Sequence, residues 1–93
     1  MTQEQISRLE AMGFSRWTKD NYDRLYINAK ALGLECDYYK TGNIHHATFR
    51  GRDISNCEAR RMKAAKTYID VATGEVHSDN ADLKEAAQEM MQA

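Results

Sequence analysis

The sequence predicts an α+β fold, a single small domain of antiparallel β-hairpins covered by helices. Three observations carry this. Segments with helical spacing begin behind capping residues at 2 and 55, and a further amphipathic one closes the chain. Between them lie segments with strand-like alternation, each folded about a turn rich in Asp, Asn or Gly. Hairpins joined by helices put the helices on one side of antiparallel sheet. A chain of 93 residues makes one domain, 1–93, because chains divide only well above this size.

The first helix is signalled by the capping-box spacing of Thr2 and Gln5. Ile6, Leu9 and Met12 share a face, and Gly13 supplies a left-handed stop. "MGF" after such a helix resembles ubiquitin-associated domains, which continue with two more helices. Here "SRWTKDNYDRLYI" follows, rich in aromatics and broken at Asp20-Asn21, and reads as two strands about a turn. "NAKALGL" gives a single helical turn ended by Gly33.

For the 34–50 hairpin, Gly42-Asn43 reads as a two-residue turn. That register sets Tyr39 opposite His46, Tyr38 opposite Ala47, Cys36 opposite Phe49 and Glu35 opposite Arg50. Side chains alternate along a strand, so Cys36, Tyr38, Ala47 and Phe49 form a core face and Tyr39, His46 and Arg50 a polar one. "RDISNCEARRMKAAK" reads as a helix, with Ser55 and Glu58 at capping-box spacing and a stripe of Ala59, Met62 and Ala65. "KTYIDVATGEVHS" is a further hairpin, its turn opened by Asp70 with Gly74 in the left-handed position. "DNADLKEAAQEMM" closes the chain as an amphipathic helix with Leu83, Ala86 or Ala87, and Met90 inward.

Composition excludes several function classes. No stretch reaches the roughly 20 apolar residues of a membrane span, and the N-terminus lacks a signal-peptide pattern, so a cytoplasmic location is expected. Cys36 and Cys57 are then expected to be reduced, and with three scattered histidines they lack zinc-finger spacing. The formal charge of −1 conceals an asymmetry. Residues 50–66 carry Arg50, Arg52, Arg60, Arg61, Lys63 and Lys66 against Asp53 and Glu58. Residues 67–93 carry Lys84 against Asp70, Glu75, Asp79, Asp82, Glu85 and Glu89. These blocks either form two electrostatic faces or fold together and cancel.

The stretch with the most chemical character is "TGNIHHATFRGR", residues 41–52. Adjacent residues on a regular strand point to opposite faces, so His45 and His46 cannot share a metal unless the strand bulges. His46, with Tyr39 opposite and Arg50 on the same face, has a set that could bind or cleave a phosphodiester, but it reads first as a half-exposed histidine packed on a tyrosine ring. His77 reads as a surface cross-strand residue, and Cys57, with no placed base nearby, as a small filler near a helix start. No Gly-rich phosphate loop is present. The expectation is no enzyme activity, no cofactor and no metal. The expected partner-binding surface combines the polar face and tip of the 34–50 hairpin with the exposed side of the following helix: Tyr39, Lys40, His45, His46, Arg50, Arg52, Arg60, Arg61 and Lys63. Tyrosine and arginine are enriched at binding hot spots, and arginine pairs with carboxylate or phosphate alike. The same basic 50–66 region supports an alternative, direct binding of RNA or DNA.

Four runs, "DRLYIN" (23–28), "YYKTGNI" (38–44), "ISNCEA" (54–59) and "AKTYIDVATG" (65–74), are similar to runs in a group of short proteins carried by phages and mobile elements of gut bacteria. The resemblance spans most of residues 14–77 and carries no activity with it. What it implies is a small non-enzymatic accessory protein, in the manner of anti-CRISPR inhibitors, that occupies a surface on a host protein or nucleoprotein complex. The narrow apolar stripes of the second and fourth helices also leave room for a homodimer.

Overall fold

The computed structural model describes all residues, Met1–Ala93, and shows an α+β domain of three helices and two antiparallel sheets. In chain order these are α1 (Gln3–Ala11), β1 (Ser15–Lys19), β2 (Tyr22–Ile27), β3 (Leu34–Tyr38), β4 (Ile44–Phe49), β5 (Arg52–Ile54), α2 (Asn56–Ala64), β6 (Thr67–Asp70), β7 (Val76–Ser78) and α3 (Ala81–Gln92). One sheet has the order β1-β2-β6-β7, the other β3-β4-β5. No helix is long and apolar enough to cross a membrane.

The helices start where their caps dictate. Thr2 and Gln5 form a reciprocal capping box. Ser55 accepts from the Glu58 N–H at 3.1 Å, and Asn80 accepts from the N–H groups of Asp82 and Leu83. Each side chain satisfies amide donors that the first turn leaves without a backbone acceptor. The apolar stripes then point into one core. Ile6 and Leu9 of α1, Ala59 and Met62 of α2, and Leu83, Ala86 and Ala87 of α3 are buried. They meet Leu25, Ile27, Ile69 and Val76 from the four-stranded sheet and Leu34, Ala47 and Phe49 from the three-stranded one. α3 lies on β6 and β7, α2 on β3 and β4.

The single turn expected before Gly33 is found, as overlapping i→i+3 turns over 29–33. Asn28 Oδ1 accepts from the Ala31 N–H, and Gly33 at φ +119° redirects the chain before a helix can propagate. Three expectations are corrected. The segment 52–54 is a strand, β5, and only 56–64 is helical. The 34–50 hairpin is shifted: Leu34 pairs with Phe49, Glu35 with Thr48, Cys36 with Ala47 and Asp37 with His46. Its turn runs over 39–43, closed by the Gly42 N–H to Tyr39 O and the Tyr39 N–H to Asn43 O. Gly42 alone takes positive φ there, +91°, so Asn43 is spared a left-handed conformation. A shift of two residues preserves the faces, which is why Ala47 and Phe49 remain buried. Finally, Tyr38 does not join them. It lies opposite Ile44 at the sheet's end and is 48% exposed.

The β4–β5 connection links the smaller sheet to α3. Arg50 (φ +53°) and Gly51 (φ +83°) form a two-residue turn between Phe49 and Arg52. A non-glycine residue in that region costs about 1–2 kcal/mol. Arg50 recovers contacts there: its N–H donates to Gly33 O at 3.0 Å and its guanidinium pairs with Glu89 of α3 at 2.5 Å. Gly33 lies directly against the Arg50 side chain, where an added Cβ would sit 2.7 Å from Arg50 Cγ. Gly33→Ala is therefore expected to destabilise the domain by about 1–3 kcal/mol in urea unfolding, through left-handed strain and this clash together.

Candidate functional site

The nine residues expected to share one surface are divided by the fold: those of the hairpin tip stay near Arg60 and Lys63 of α2, whereas Arg50 and Arg52 turn toward α3. Tyr39 and Lys40 are exposed at the hairpin tip, where the Tyr39 ring meets the His45 ring edge-on, 4.7 Å between centroids. The strand bulges here: Tyr38 pairs with Ile44 and Asp37 with His46, leaving His45 as the extra residue. Both histidines consequently face solvent, against the alternation expected of a regular strand. Instead of Tyr39, His46 meets Asp53 on β5, with Nε2 3.0 Å from Oδ1. No group of three or more His, Cys, Asp or Glu side chains is placed to hold a metal ion. Cys57 is exposed and not the small filler expected.

The basic block divides. Arg50 pairs with Glu89, and Arg52 lines a depression with Asp82 and Glu85, so these two arginines are opposed by the acidic block. Arg60, Arg61 and Lys63 stay on the outer side of α2. Arg60 and Lys63 meet the hairpin tip, but through Tyr38 and not Tyr39. Lys63 Nζ donates to the Tyr38 hydroxyl at 2.5 Å and lies 4.6 Å from that ring's centroid. The hydrogen bond to Tyr38 is the main reason the Lys63 pKa is raised above its ordinary value, which keeps the ammonium charged.

The most organised surface was not among the expected residues. Both phenylalanines are buried, while none of the five tyrosines is, and neither is Trp17. Four of these six amphipathic aromatics occupy the outer face of the four-stranded sheet. The register places Ser15, Tyr26, Tyr68 and His77 in one row, and Trp17, Arg24 and Asp70 in the next. Tyr22 follows two residues before Arg24, on the same face. The opposite face, bearing Leu25, Ile27, Ile69 and Val76, is the one that is buried.

Arg24 organises this outer face. Its guanidinium carbon lies 4.3 Å from the Tyr22 centroid and 4.2 Å from the Tyr68 centroid. Its Nη1 donates to the Tyr26 hydroxyl at 3.0 Å. His77 continues the stack on Tyr68, with centroids 5.0 Å apart and planes 21° from parallel. The column thus runs tyrosine, guanidinium, tyrosine, imidazole across three strands. Cation–π attraction and ring stacking each contribute about 0.5–1.5 kcal/mol at such distances. The hydrogen bond to Tyr26 is the main reason the Arg24 pKa is raised. Arg24 Nε is buried and has no partner, which leaves an unsatisfied donor within the column. Trp17, 55% exposed, stands directly across from Arg24 on the edge strand.

Chemically, such a face presents ring and guanidinium planes suited to stacking against planar groups. The sequence did contain a signal for it. "YDRLYI" and "TYID" alternate aromatic or polar residues with Leu25, Ile27 and Ile69, which assigns Tyr22, Arg24, Tyr26 and Tyr68 to one side. No protein-family model matches the chain, and neither a curated protein nor a solved structure matches it.

Edge strand β1, which carries Trp17, is tied to β2 by a bidentate pair. Arg16 Nε and Nη2 donate to the two Asp23 carboxylate oxygens at 2.9 and 2.6 Å, and Thr18 adds a third donor at 3.3 Å. The Arg16 hydrogen bonds hold the Asp23 pKa below its ordinary value of 3.8. A carboxylate with a depressed folded-state pKa stabilises the fold above its unfolded value, and that contribution disappears as pH falls through the folded value. Thermal melts from neutral pH down to about pH 2 are expected to show Asp23→Asn less stable than the parent above about pH 4. The two melting curves should converge at the acid end.

Proposed function

We propose that the chain is a non-catalytic binding protein whose contact surface is the outer face of the four-stranded sheet. The observation supporting this reading is the Arg24 column: a positively charged, pre-stacked set of aromatics on a sheet face that no helix covers. Tyrosine, tryptophan and arginine are the side chains that dominate binding energy at interfaces. Their packing against one another means that little rotamer freedom is lost when a partner docks. In the setting implied by the resemblance to phage and mobile-element proteins, the partner is a host protein or nucleoprotein complex.

This reading moves the contact surface away from the histidine-bearing hairpin. His46 is engaged by Asp53 and Arg50 by Glu89. The exposed Trp17 and the ordered column beside it favour the sheet face.

The test is affinity capture from host lysate, with and without nuclease, using the parent chain, Trp17→Ala, Arg24→Leu and His46→Ala. Melting temperatures would be measured in parallel to establish that each variant folds. Partner retention is expected to fall at least tenfold for Trp17→Ala and to survive in His46→Ala. Retention by Trp17→Ala together with loss in His46→Ala would return the contact surface to the hairpin.

A further inference from the structure

Three depressions share Lys63 and adjoin through Asn28 and Tyr38, forming a furrow that runs from the four-stranded sheet past β3 to the space between the hairpin tip and α2. The first lies where the aromatic face ends, between Trp17, Tyr26 and Lys66. A second runs beside edge strand β3, past Lys30, Cys36 and Tyr38. The third opens between Tyr38, the hairpin turn and Arg60. Lys63 lines all three. The furrow therefore adjoins the outer face of the four-stranded sheet at Tyr26 and Trp17, which line it and stand on that face.

Its composition differs from that of the chain as a whole. Lys30, Arg60, Lys63 and Lys66 line it against the carboxylates of Glu35 and Asp37. That is a cationic excess in a chain whose formal net charge is −1. Two of the three large apolar side chains left exposed line it, Trp17 at one end and Tyr38 beside Lys63 where two of the depressions meet, and the third, Tyr39, adjoins Tyr38 at the hairpin tip. Exposed aromatics along a cationic channel are what a single-stranded polynucleotide requires. Its phosphates need mobile cations along a track, and its unpaired bases need ring faces to stack on. A duplex fits less well, because its bases are already stacked and its phosphates lie on a convex surface.

We infer that the furrow and the adjoining sheet face bind single-stranded nucleic acid. Lys63, Lys66 and Arg60 follow the phosphates, and bases stack on Trp17 and Tyr38. The inference rests on the sheet-face reading of function and gives that surface a ligand class. Arg24 then serves by aligning the rings; its Nε is buried within the column and takes no part in the contact. The nucleic-acid reading thus keeps Arg60 and Lys63 from the basic 50–66 region and gives up Arg50 and Arg52, which face acidic α3.

The chain contains one tryptophan, so Trp17 itself reports binding. The probes are fluorescein-labelled oligothymidylate and oligouridylate of about 12 nucleotides, within the ~4–16 nucleotides that small single-strand sites cover. A blunt duplex of the same length is the control. Titration is expected to quench Trp17 fluorescence and to raise probe anisotropy for the single strands well before the duplex. Trp17→Ala should weaken binding about 5- to 150-fold, the loss of one stacked base. For Lys63→Gln with Lys66→Gln, the slope of log affinity against log salt should become shallower by about 1.4, at about 0.7 per lost phosphate contact. Absence of single-strand binding, equal binding of duplex, or binding unmoved by both sets of substitutions would overturn the inference. If no oligonucleotide binds while lysate capture still depends on Trp17, the ligand class is wrong and the contact surface stands. Loss of both dependences removes both.

Discussion

The organisation of this domain follows from a shortage of apolar side chains. One cluster of 19 buried residues has to close three helices and two sheets. In a chain this short the buried fraction of surface is small, and a second core layer cannot be filled. Each sheet is accordingly covered on one side only. The four-stranded sheet turns Leu25, Ile27, Ile69 and Val76 inward, and the three-stranded sheet turns Leu34, Ala47 and Phe49 inward. Both remaining faces meet solvent, and what occupies them is not dictated by the needs of the core.

The two open faces are furnished differently. On the smaller sheet, Glu35, Asp37, His46 and Asp53 make a polar, partly acidic surface whose one defined contact is the His46–Asp53 pair. On the larger sheet, rings and a guanidinium have been ordered into a column although nothing covers them. Solubility is served at least as well by scattered lysine and glutamate, so the stacked arrangement asks for another explanation. The electrostatics run in the same direction. Arg50 and Arg52 are answered by Glu89, Asp82 and Glu85, whereas the cations of α2 remain free of carboxylates and lie beside the furrow. The basic and acidic blocks of the sequence therefore cancel in part, and the remainder lies where the aromatic surface continues.

The helices and the outer hairpins were legible because their signals are local. Thr2 with Gln5, Ser55 with Glu58, and Asp70 with Gly74 each act within four residues. The first forms the full capping box, the second only its Ser55 half, and the third closes its turn with Gly74 at positive φ. The 34–50 hairpin was legible in its faces but not in its register. Gly42 permits either a two-residue turn or a longer loop with one left-handed residue, and the bulge at His45 depends on how Ile44 reaches the core. The strand β5 was hidden because Arg50 adopts a left-handed conformation that its residue type rarely takes, held there by Gly33 and Glu89 from distant parts of the chain. The candidate site was missed for a related reason. Periodicity placed Tyr22, Arg24, Tyr26 and Tyr68 on one face of their strands, but only the pairing of β2 with β6 brings them together. Histidines and arginines at 45–52 looked like chemistry in the sequence, and in the fold they are largely occupied by each other's neighbours.

The central claim is that the uncovered face ordered by Arg24 is the surface this protein uses. Its most direct test is a nitrogen–proton correlation spectrum of the labelled chain, recorded as single-stranded oligonucleotide is added, with the Arg24 Nε–H and the Trp17 indole as reporters. The account predicts that these two side-chain signals move first, together with amides of β1, β2 and the end of α2, while those of His46 and Asp53 stay in place. Shifts concentrated at residues 39–46, with the Arg24 and Trp17 signals unmoved, would contradict it.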